Sequence, residues 1–284
     1  MTITIAFAGK GSAGKTTLLP SLLHTAAALR PHERRLVVDV DPHQSLTTLL
    51  GHQGGTTVAA LRSAYERALI SGAALREDET REAFFEARMG AEALLAADGY
   101  DFLSLGQWEL AGSQCTPNRV MERALGGLLA RYDLALLDNE AGVEHIGRYA
   151  GVPLDAMVMV ATPARMSLAV AGRIVASASR LRARPRLMYL LLNRVRAGDL
   201  GRPHVVAALD QLNEADVRFL GAVSEADDEP HTLGADHAWH GQLAPLWRTL
   251  LGQVRAAAAL ASPGLVDAIR ANGHVLTLAK GERR

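Results

Sequence analysis

Apolar residues along this chain fall into short runs that alternate with longer helical patterns. The first run, residues 2–8, is rich in β-forming side chains and precedes several glycines; residues 16–29 then form an alanine-rich apolar pattern that stops before Pro31. Because proline disfavours helix in the residue before it, this order predicts a strand, a glycine loop and a helix. Further strands are predicted at residues 35–40, 100–105, 132–137, 156–161, 187–192 and 219–223.

Several of these runs are apolar at every position, as residues 134–137 and 157–160 show. Strands without a polar face are typical of a parallel sheet that helices cover on both sides. The sequence therefore predicts one α/β domain, a doubly wound and mostly parallel sheet flanked by helices, over residues 1–262. Residues 262–264, Ser-Pro-Gly, break the pattern at the end of this domain. We assign no function to the C-terminal tail, residues 263–284.

Residues 57–97, between the second and third predicted strands, form a long helical pattern with an acidic centre. The acidic residues of this centre are Glu77, Asp78, Glu79, Glu82 and Glu86. A charge cluster of this kind is typical of a solvated helix face. We therefore expect helix throughout this segment and no binding site on it.

Composition narrows the class of protein. The 284 residues are 49% hydrophobic and carry 30 basic and 30 acidic side chains, so the chain can bury a sizeable core but has no net charge to attract nucleic acid. One cysteine cannot form an intramolecular disulfide. No run of 18 apolar residues and no export signal occur, so we expect a cytoplasmic protein without a membrane span.

Residues 9–16, Gly-Lys-Gly-Ser-Ala-Gly-Lys-Thr, fit the phosphate-loop pattern and lie between the predicted strand and helix that the pattern requires. The glycines let consecutive N–H groups point at phosphate oxygens, and the helix adds its positive N-terminal end. Lys15 is expected to reach the β- and γ-phosphates, and the Thr16 hydroxyl to hold Mg²⁺. Of the 30 basic residues only Lys10, Lys15 and Lys280 are lysines, which favours a specific role for the loop lysine.

Lys10 adds a second lysine directly after the first glycine, and residues 10–17 resemble the deviant phosphate loop of the MinD/ParA-type dimeric ATPases. The resemblance implies a homodimer in which Lys10 crosses to the nucleotide of the partner subunit, and a slow hydrolysis of ATP to ADP that dimerisation or a partner stimulates. Residues 37–46 continue the resemblance with two carboxylates at a strand end, where ligands bind in open α/β sheets. It assigns Asp41 to orienting the attacking water and Asp39 to the Mg²⁺ region.

Two later strand ends also resemble this family. Asp138 lies at a strand end, where its carboxylate would bind a water ligand of Mg²⁺. Gly142 follows at a position from which its N–H would sense the γ-phosphate. Asn193, with Arg194 after it, resembles the adenine-recognising position, since an amide offers both a donor and an acceptor. Ser224 departs from the pattern, because relatives often carry proline there. The residues assigned to nucleotide binding are Gly9, Gly11, Ser12, Ala13, Gly14, Lys15, Thr16, Thr17, Gly142, Asn193 and Arg194.

Residues 138–148 are similar to a segment of the CooC family, the nickel-insertion ATPases of carbon monoxide dehydrogenase, and residues 105–107 and 112–117 resemble that family's loop before a helix. The family's loop carries two cysteines, so that a dimer gathers four thiolates, whereas this chain has only Cys115. Two thiolates close a tetrahedral metal site only with help from histidine or water, so we expect no tight nickel or zinc site. The irregularly spaced histidines 231, 237 and 240 are a weaker candidate ligand set.

Two other classes of nucleotide-dependent protein compete with the CooC-like interpretation. A ParA-type DNA-partition ATPase would use basic side chains, and Arg173, Arg180, Arg182, Arg184 and Arg186 lie on or after one predicted helix. A solvated arginine face explains them equally well and no aromatic residues interleave, so we expect at most weak, salt-sensitive DNA binding. A nitrogenase-type reductase would need two cysteines per subunit for a shared iron–sulfur cluster.

The sequence thus predicts an ATP-binding and ATP-hydrolysing dimeric switch that resembles the CooC-type maturation ATPases. It would use Mg²⁺ and act on a client protein, for which a metalloenzyme is one candidate. The alternative that stays open is a ParA/MinD-type partition or positioning ATPase that binds DNA or a membrane-associated partner.

Overall fold

A computed structural model describes residues 2–70, 80–107, 116–139, 154–178, 184–225 and 238–260. Within these ranges the strands are β1 (Ile3–Ala8), β2 (Arg35–Asp39), β3 (Leu94–Ala97), β4 (Tyr100–Ser104), β5 (Leu134–Asp138), β6 (Ala156–Ala161), β7 (Leu187–Val195) and β8 (Val217–Ser224). The α-helices are α1 (Lys15–Leu29), α2 (Ser45–Leu49), α3 (Val58–Ile70), α4 (Arg81–Arg88), α5 (Thr116–Leu129), α6 (Arg165–Ala178), α7 (Pro203–Glu214) and α8 (Ala238–Leu260). None of these helices combines the length and the apolar character needed to cross a membrane.

The strands form one sheet in the order β3-β4-β2-β5-β1-β6-β7-β8. All neighbouring strands run parallel except β3, which pairs antiparallel with β4 at one edge. Every residue of β1, β2, β5 and β6 is buried, because helices cover both faces of the sheet. The predicted doubly wound, mostly parallel α/β sheet is confirmed, and each predicted strand matches an observed one within a few residues.

The helical prediction for residues 57–97 is wrong at its C-terminal end. Helices α3 and α4 occupy much of the segment, but Leu94–Ala97 form β3, which turns back onto β4 through Gly99 with a φ of 79°. The sequence Leu-Leu-Ala-Ala has little strand preference of its own, so pairing with β4 decides its conformation. Residues 77–79 of the acidic centre lie outside the described ranges, while Glu86 is half-buried and accepts a hydrogen bond from Arg131.

Helix α8 packs against α1, and its largest buried side chain lies at this contact. Trp247 is fully buried, and its ring lies edge-on to Phe7 of β1, with 6.0 Å between the ring centroids. Its indole N–H donates to the Ser21 hydroxyl of α1 at 3.3 Å. Helices α1, α2 and α8 form one apolar layer on the sheet, and α3 to α7 form the layer on the other face. The layer with Trp247 therefore holds the helix that starts at the glycine loop.

We expect Trp247→Ala to destabilise the protein by about 3–5 kcal/mol, because it removes a buried ring and leaves a cavity between α8 and α1. The matched control is Arg248→Ala, which removes an exposed side chain from the same helix and should change stability by less than about 0.5 kcal/mol. Urea unfolding followed by circular dichroism measures both. Equal effects of the two changes would contradict the packing role of Trp247.

Candidate functional site

The glycine loop lies between the end of β1 and the start of α1, and its glycines meet neighbouring strands. Gly9 has a φ of 145°, and a Cβ there would lie 2.1 Å from the Val160 carbonyl oxygen of β6. Gly14 has a φ of 94°, and a Cβ there would lie 2.3 Å from the Asn193 side-chain nitrogen of β7. Both conformations, and the contact of Gly9 with a backbone carbonyl, require glycine, while a side chain at Gly14 would displace the Asn193 amide. The backbone of the loop is thus packed directly on the sheet.

The two lysines of the loop have different environments. Lys15 is only 7% exposed, and its ammonium donates to the carbonyl oxygens of Gly9 at 3.2 Å and of Lys10 at 3.4 Å. The Lys10 side chain is exposed. A buried ammonium held on loop carbonyls is suited to a phosphate bound in that loop, whereas an exposed one is accessible to groups outside the loop.

Asp138 and Thr16 meet at the carboxyl edge of the sheet. The last residue of β5, Asp138, is in register with Phe7 of β1 and with Asp39 of β2. The Thr16 hydroxyl donates to Asp138 Oδ2 at 2.7 Å, while Asp138 Oδ1 is buried and has no protein hydrogen-bond partner. A hydroxyl and a carboxylate oxygen together form the kind of donor set that Mg²⁺ prefers.

Burial raises the pKa of Asp138 to about 7. The Thr16 hydroxyl and the Lys15 ammonium lower this pKa, and the carboxylates of Asp39 and Asp41 raise it further. Since Asp138 is 1% exposed, the cost of removing a carboxylate from water outweighs the opposing contacts. A nearby cation would favour the charged form of this group.

Asp39 is fully buried and its carboxylate is held by protein donors. Its Oδ2 accepts from the backbone N–H of Thr47 at 2.7 Å and from the Thr47 hydroxyl at 2.6 Å, and its Oδ1 accepts from the Asp41 N–H at 3.1 Å. Burial raises the pKa of Asp39, and these hydrogen bonds oppose that shift. Asp39 therefore lies next to Asp138 but uses its oxygens to anchor α2. Sequence reasoning missed Thr47, although its position in the segment after the two aspartates offered a signal.

Asn193 is 1% exposed and contacts the glycine loop. Its side-chain N–H donates to the Ala13 carbonyl at 2.9 Å, and its Oδ1 is buried without a protein partner. Arg194 is exposed and has a φ of 57°, at an irregularity in the pairing of β7 with β8. Ser224 at the end of β8 donates both its N–H and its hydroxyl to Gln242 Oε1 of α8, so the position at which the sequence departs from the expected pattern is tied to a helix.

A second residue that sequence reasoning missed is Asn139. Its backbone N–H and its side-chain N–H both donate to the Phe7 carbonyl oxygen, at 3.2 and 2.9 Å. These bonds tie the end of β5 to the end of β1 immediately before the glycine loop. The loop is therefore held from β5 as well as from β6 and β7.

The remaining loop residues assigned to the nucleotide lie around this framework. Gly11 and Ser12 are exposed, with Ser12 at a φ of 65°, while Ala13 is buried and Thr17 is half-buried in α1. Gly142, Cys115, His231 and His237 lie outside the described residues, as does the side chain of His240. Within the described ranges, no three His, Cys, Asp or Glu side chains come together as a metal cage.

The arginine segment is only partly described. Arg173 on α6 is exposed, as are Arg184 and Arg186, and Arg186 Nε lies 3.7 Å from Asp155 Oδ1; Arg180 and Arg182 lie outside the described ranges. One arginine of the group therefore already has a carboxylate partner in the protein. This leaves Arg173 and Arg184 as exposed charges on that surface.

Comparison with known proteins finds similar sequences, among them an ATP-binding protein and an enzyme accessory protein. An uncharacterised ATP-binding protein of Methanocaldococcus jannaschii is 30% identical over 196 residues, which cover 68% of this chain and 74% of the relative. The carbon monoxide dehydrogenase accessory protein CooC of Rhodospirillum rubrum is 30% identical over 187 residues, covering 60% of this chain and 66% of CooC. CooC is thus among the relatives, as the sequence resemblance predicted.

Solved structures share the fold. A plasmid partition protein of Borrelia burgdorferi bound to AMPPNP matches with a TM-score of 0.62 at 16% identity, over 89% of this chain and 99% of that one. MinD in the MinC:MinD complex of Aquifex aeolicus matches with a TM-score of 0.62 at 17% identity, over 88% and 96% of the two chains.

The family model for the CobQ/CobB/MinD/ParA nucleotide binding domain matches residues 4–232, which include the glycine loop and all three strand-end aspartates. This match confirms the resemblance to MinD/ParA-type proteins that residues 10–17 predicted. Because it spans most of the sequence, the chain belongs to the CobQ/CobB/MinD/ParA nucleotide-binding domain family.

Proposed function

We propose that this protein is an ATP-binding and ATP-hydrolysing dimeric switch, built on residues 1–262, that acts on a client protein. The observation that carries the proposal is the glycine loop with the buried Lys15 ammonium beside the paired Thr16 and Asp138. A nucleoside triphosphate with its Mg²⁺ is bound by groups of this kind: backbone N–H groups, a buried cation and a hydroxyl–carboxylate pair.

Each element has a distinct role in binding. The loop N–H groups and Lys15 hold the phosphates, and the start of α1 adds its positive end. Thr16 and Asp138 would hold Mg²⁺, which supplies positive charge to the phosphates, with Asp39 behind them fixing α2. One or two protein ligands are enough, because Mg²⁺ takes its other ligands from phosphate and water.

Selection of adenine is assigned to the end of β7. The side-chain N–H of Asn193 binds the loop, so its buried Oδ1 is the atom left to accept a hydrogen bond. An adenine base offers an amino group to such an acceptor, whereas guanine carries a carbonyl oxygen at the same place. This supports ATP over GTP, with Arg194 beside the base.

Hydrolysis is assigned to Asp41 and Lys10. Asp41 would orient the attacking water in its own subunit, while the exposed Lys10 would reach the phosphates of the partner subunit's nucleotide. A cation supplied from a second subunit links stabilisation of the transition state to dimerisation, as an arginine finger does.

We base the proposed type of client on the name of one relative. CooC is named as an accessory protein of carbon monoxide dehydrogenase, so maturation of a metalloenzyme is the client role we favour. With a single cysteine in the chain, we assign the switch itself and not metal storage to this protein. The likeness to a partition protein rests on fold alone, and the exposed Arg173 and Arg184 support at most weak DNA binding.

Lys15→Ala should abolish ATP binding, because it removes the ammonium that faces the loop. Lys10→Ala is the matched control: it removes the neighbouring lysine of the same loop, and ATP affinity should fall only a few-fold. Isothermal titration calorimetry on both folded variants measures this. Unchanged ATP affinity in Lys15→Ala would remove the basis of the proposed site.

Asp41→Ala should accumulate as an ATP-bound dimer, because it removes the group that orients water and leaves the phosphate contacts intact. Lys10→Ala should lose hydrolysis while it retains most of its ATP affinity. Light scattering with ATP, combined with phosphate release, measures both. A monomeric Asp41→Ala protein that holds unhydrolysed ATP would rule out the dimer switch without affecting the nucleotide site.

The stability of the nucleotide-free protein should depend on pH through Asp138. The folded pKa of about 7 exceeds the ordinary value of 3.8, so between about pH 4 and 7 the folded state holds a proton that the unfolded chain releases. This contribution is complete at acid pH and is lost as the pH rises through 7.

Asp138→Asn abolishes this titration, and its stability relative to wild type should therefore rise between pH 5.5 and pH 8. Urea unfolding at the two pH values gives the difference, and Asp98→Asn, in an exposed turn, controls for loss of one charge. A difference that is the same at both pH values would contradict the assignment.

A further inference from the structure

The carboxylate of Asp41 is held at both of its oxygens. The backbone N–H of His43 donates to Oδ1 at 2.9 Å, and the Ser45 hydroxyl donates to Oδ2 at 2.8 Å. Ser45 is the first residue of the short helix α2, and its side chain is exposed. The Ser45 hydroxyl is thus a side-chain donor to Asp41.

The segment that carries Ser45 is itself fixed at its far end. Thr47 binds the buried Asp39 through both its N–H and its hydroxyl, and Asp39 in turn accepts from the Asp41 N–H. The backbone from Asp39 to Thr47 is therefore closed into one unit by hydrogen bonds. This places the Ser45 hydroxyl at a fixed position relative to Asp41.

A carboxylate with a single hydrogen bond still rotates about its Cβ–Cγ bond, because that torsion has broad minima. The bond from His43 leaves Oδ2 able to turn, whereas the second bond from Ser45 fixes the plane of the group. Each oxygen keeps lone pairs for a further donor, so the fixed carboxylate can still accept a hydrogen bond from water.

We propose that Ser45 is a positioning residue for ATP hydrolysis, which holds the Asp41 carboxylate in the plane that orients the attacking water. The inference rests on the proposed function, because Ser45 acts through Asp41. Ser45 makes no bond to the reacting atoms and transfers no proton. Its effect is on the rate of hydrolysis and not on nucleotide binding.

The first test compares steady-state hydrolysis and ATP affinity in wild type, Ser45→Ala and Ser45→Thr. Ser45→Ala should lower kcat by between about tenfold and a hundredfold, the usual cost of misplacing a catalytic group, and leave ATP affinity within about twofold. Ser45→Thr keeps the hydroxyl and should restore kcat. The control Thr48→Ala removes another exposed hydroxyl from the same helix and should leave kcat unchanged.

The second test is a double-mutant cycle with Asp41→Asn, measured by single-turnover phosphate release. If Ser45 acts through Asp41, Ser45→Ala should add little to the loss already caused by Asp41→Asn. If the losses of rate in the two single variants add fully in the double variant, the inference is overturned. A normal kcat in Ser45→Ala with only reduced stability would also overturn it, because that result is expected for a residue that only begins α2. A normal rate in Asp41→Asn would instead remove the proposed role of Asp41 itself.

Discussion

The glycine loop depends on the direct contact of its backbone with two neighbouring strands. No side chain fits between Gly9 and the Val160 carbonyl of β6, and a side chain at Gly14 would displace the Asn193 amide of β7. This contact exists only because β1 lies inside the sheet, next to β6, with β7 one strand further on. The order of the strands is therefore a condition for the loop conformation, and the start of α1 follows from that conformation.

The charges around the loop follow from the same arrangement. Parallel strands bring Asp39 and Asp138 to one edge in register, and Asp41 follows directly after β2. The Lys15 ammonium lowers the pKa of Asp138, but burial and the charges of Asp39 and Asp41 outweigh it, so this pKa is raised. A site with surplus negative charge beside phosphate-binding N–H groups suits a nucleotide that arrives with a divalent cation.

Most of what the sequence predicts about the fold and the candidate site comes from local motifs. The glycine loop, the strands with no polar face and the strand-end aspartates are each recognisable within about ten residues, and the structure has them at those positions. The contacts that fix the site join distant parts of the chain: Asn139 binds Phe7 across 132 positions, and Asn193 binds Ala13 across 180. Strand β3 was missed for the same reason, because its conformation depends on pairing with β4 and not on its own residues.

The two loop lysines show how such a site can separate binding from hydrolysis. Lys15 is buried and bound to carbonyl oxygens of its own loop, so in the proposed site its charge would serve the nucleotide bound by its own chain. Lys10 is exposed five residues earlier, and in the proposed dimer its charge serves the other subunit. Under this proposal, ATP binding would need one chain and hydrolysis would need two. A client that stabilises or opens the dimer would therefore control the lifetime of the ATP-bound state without contacting the nucleotide, which is the property that makes a slow ATPase useful as a switch.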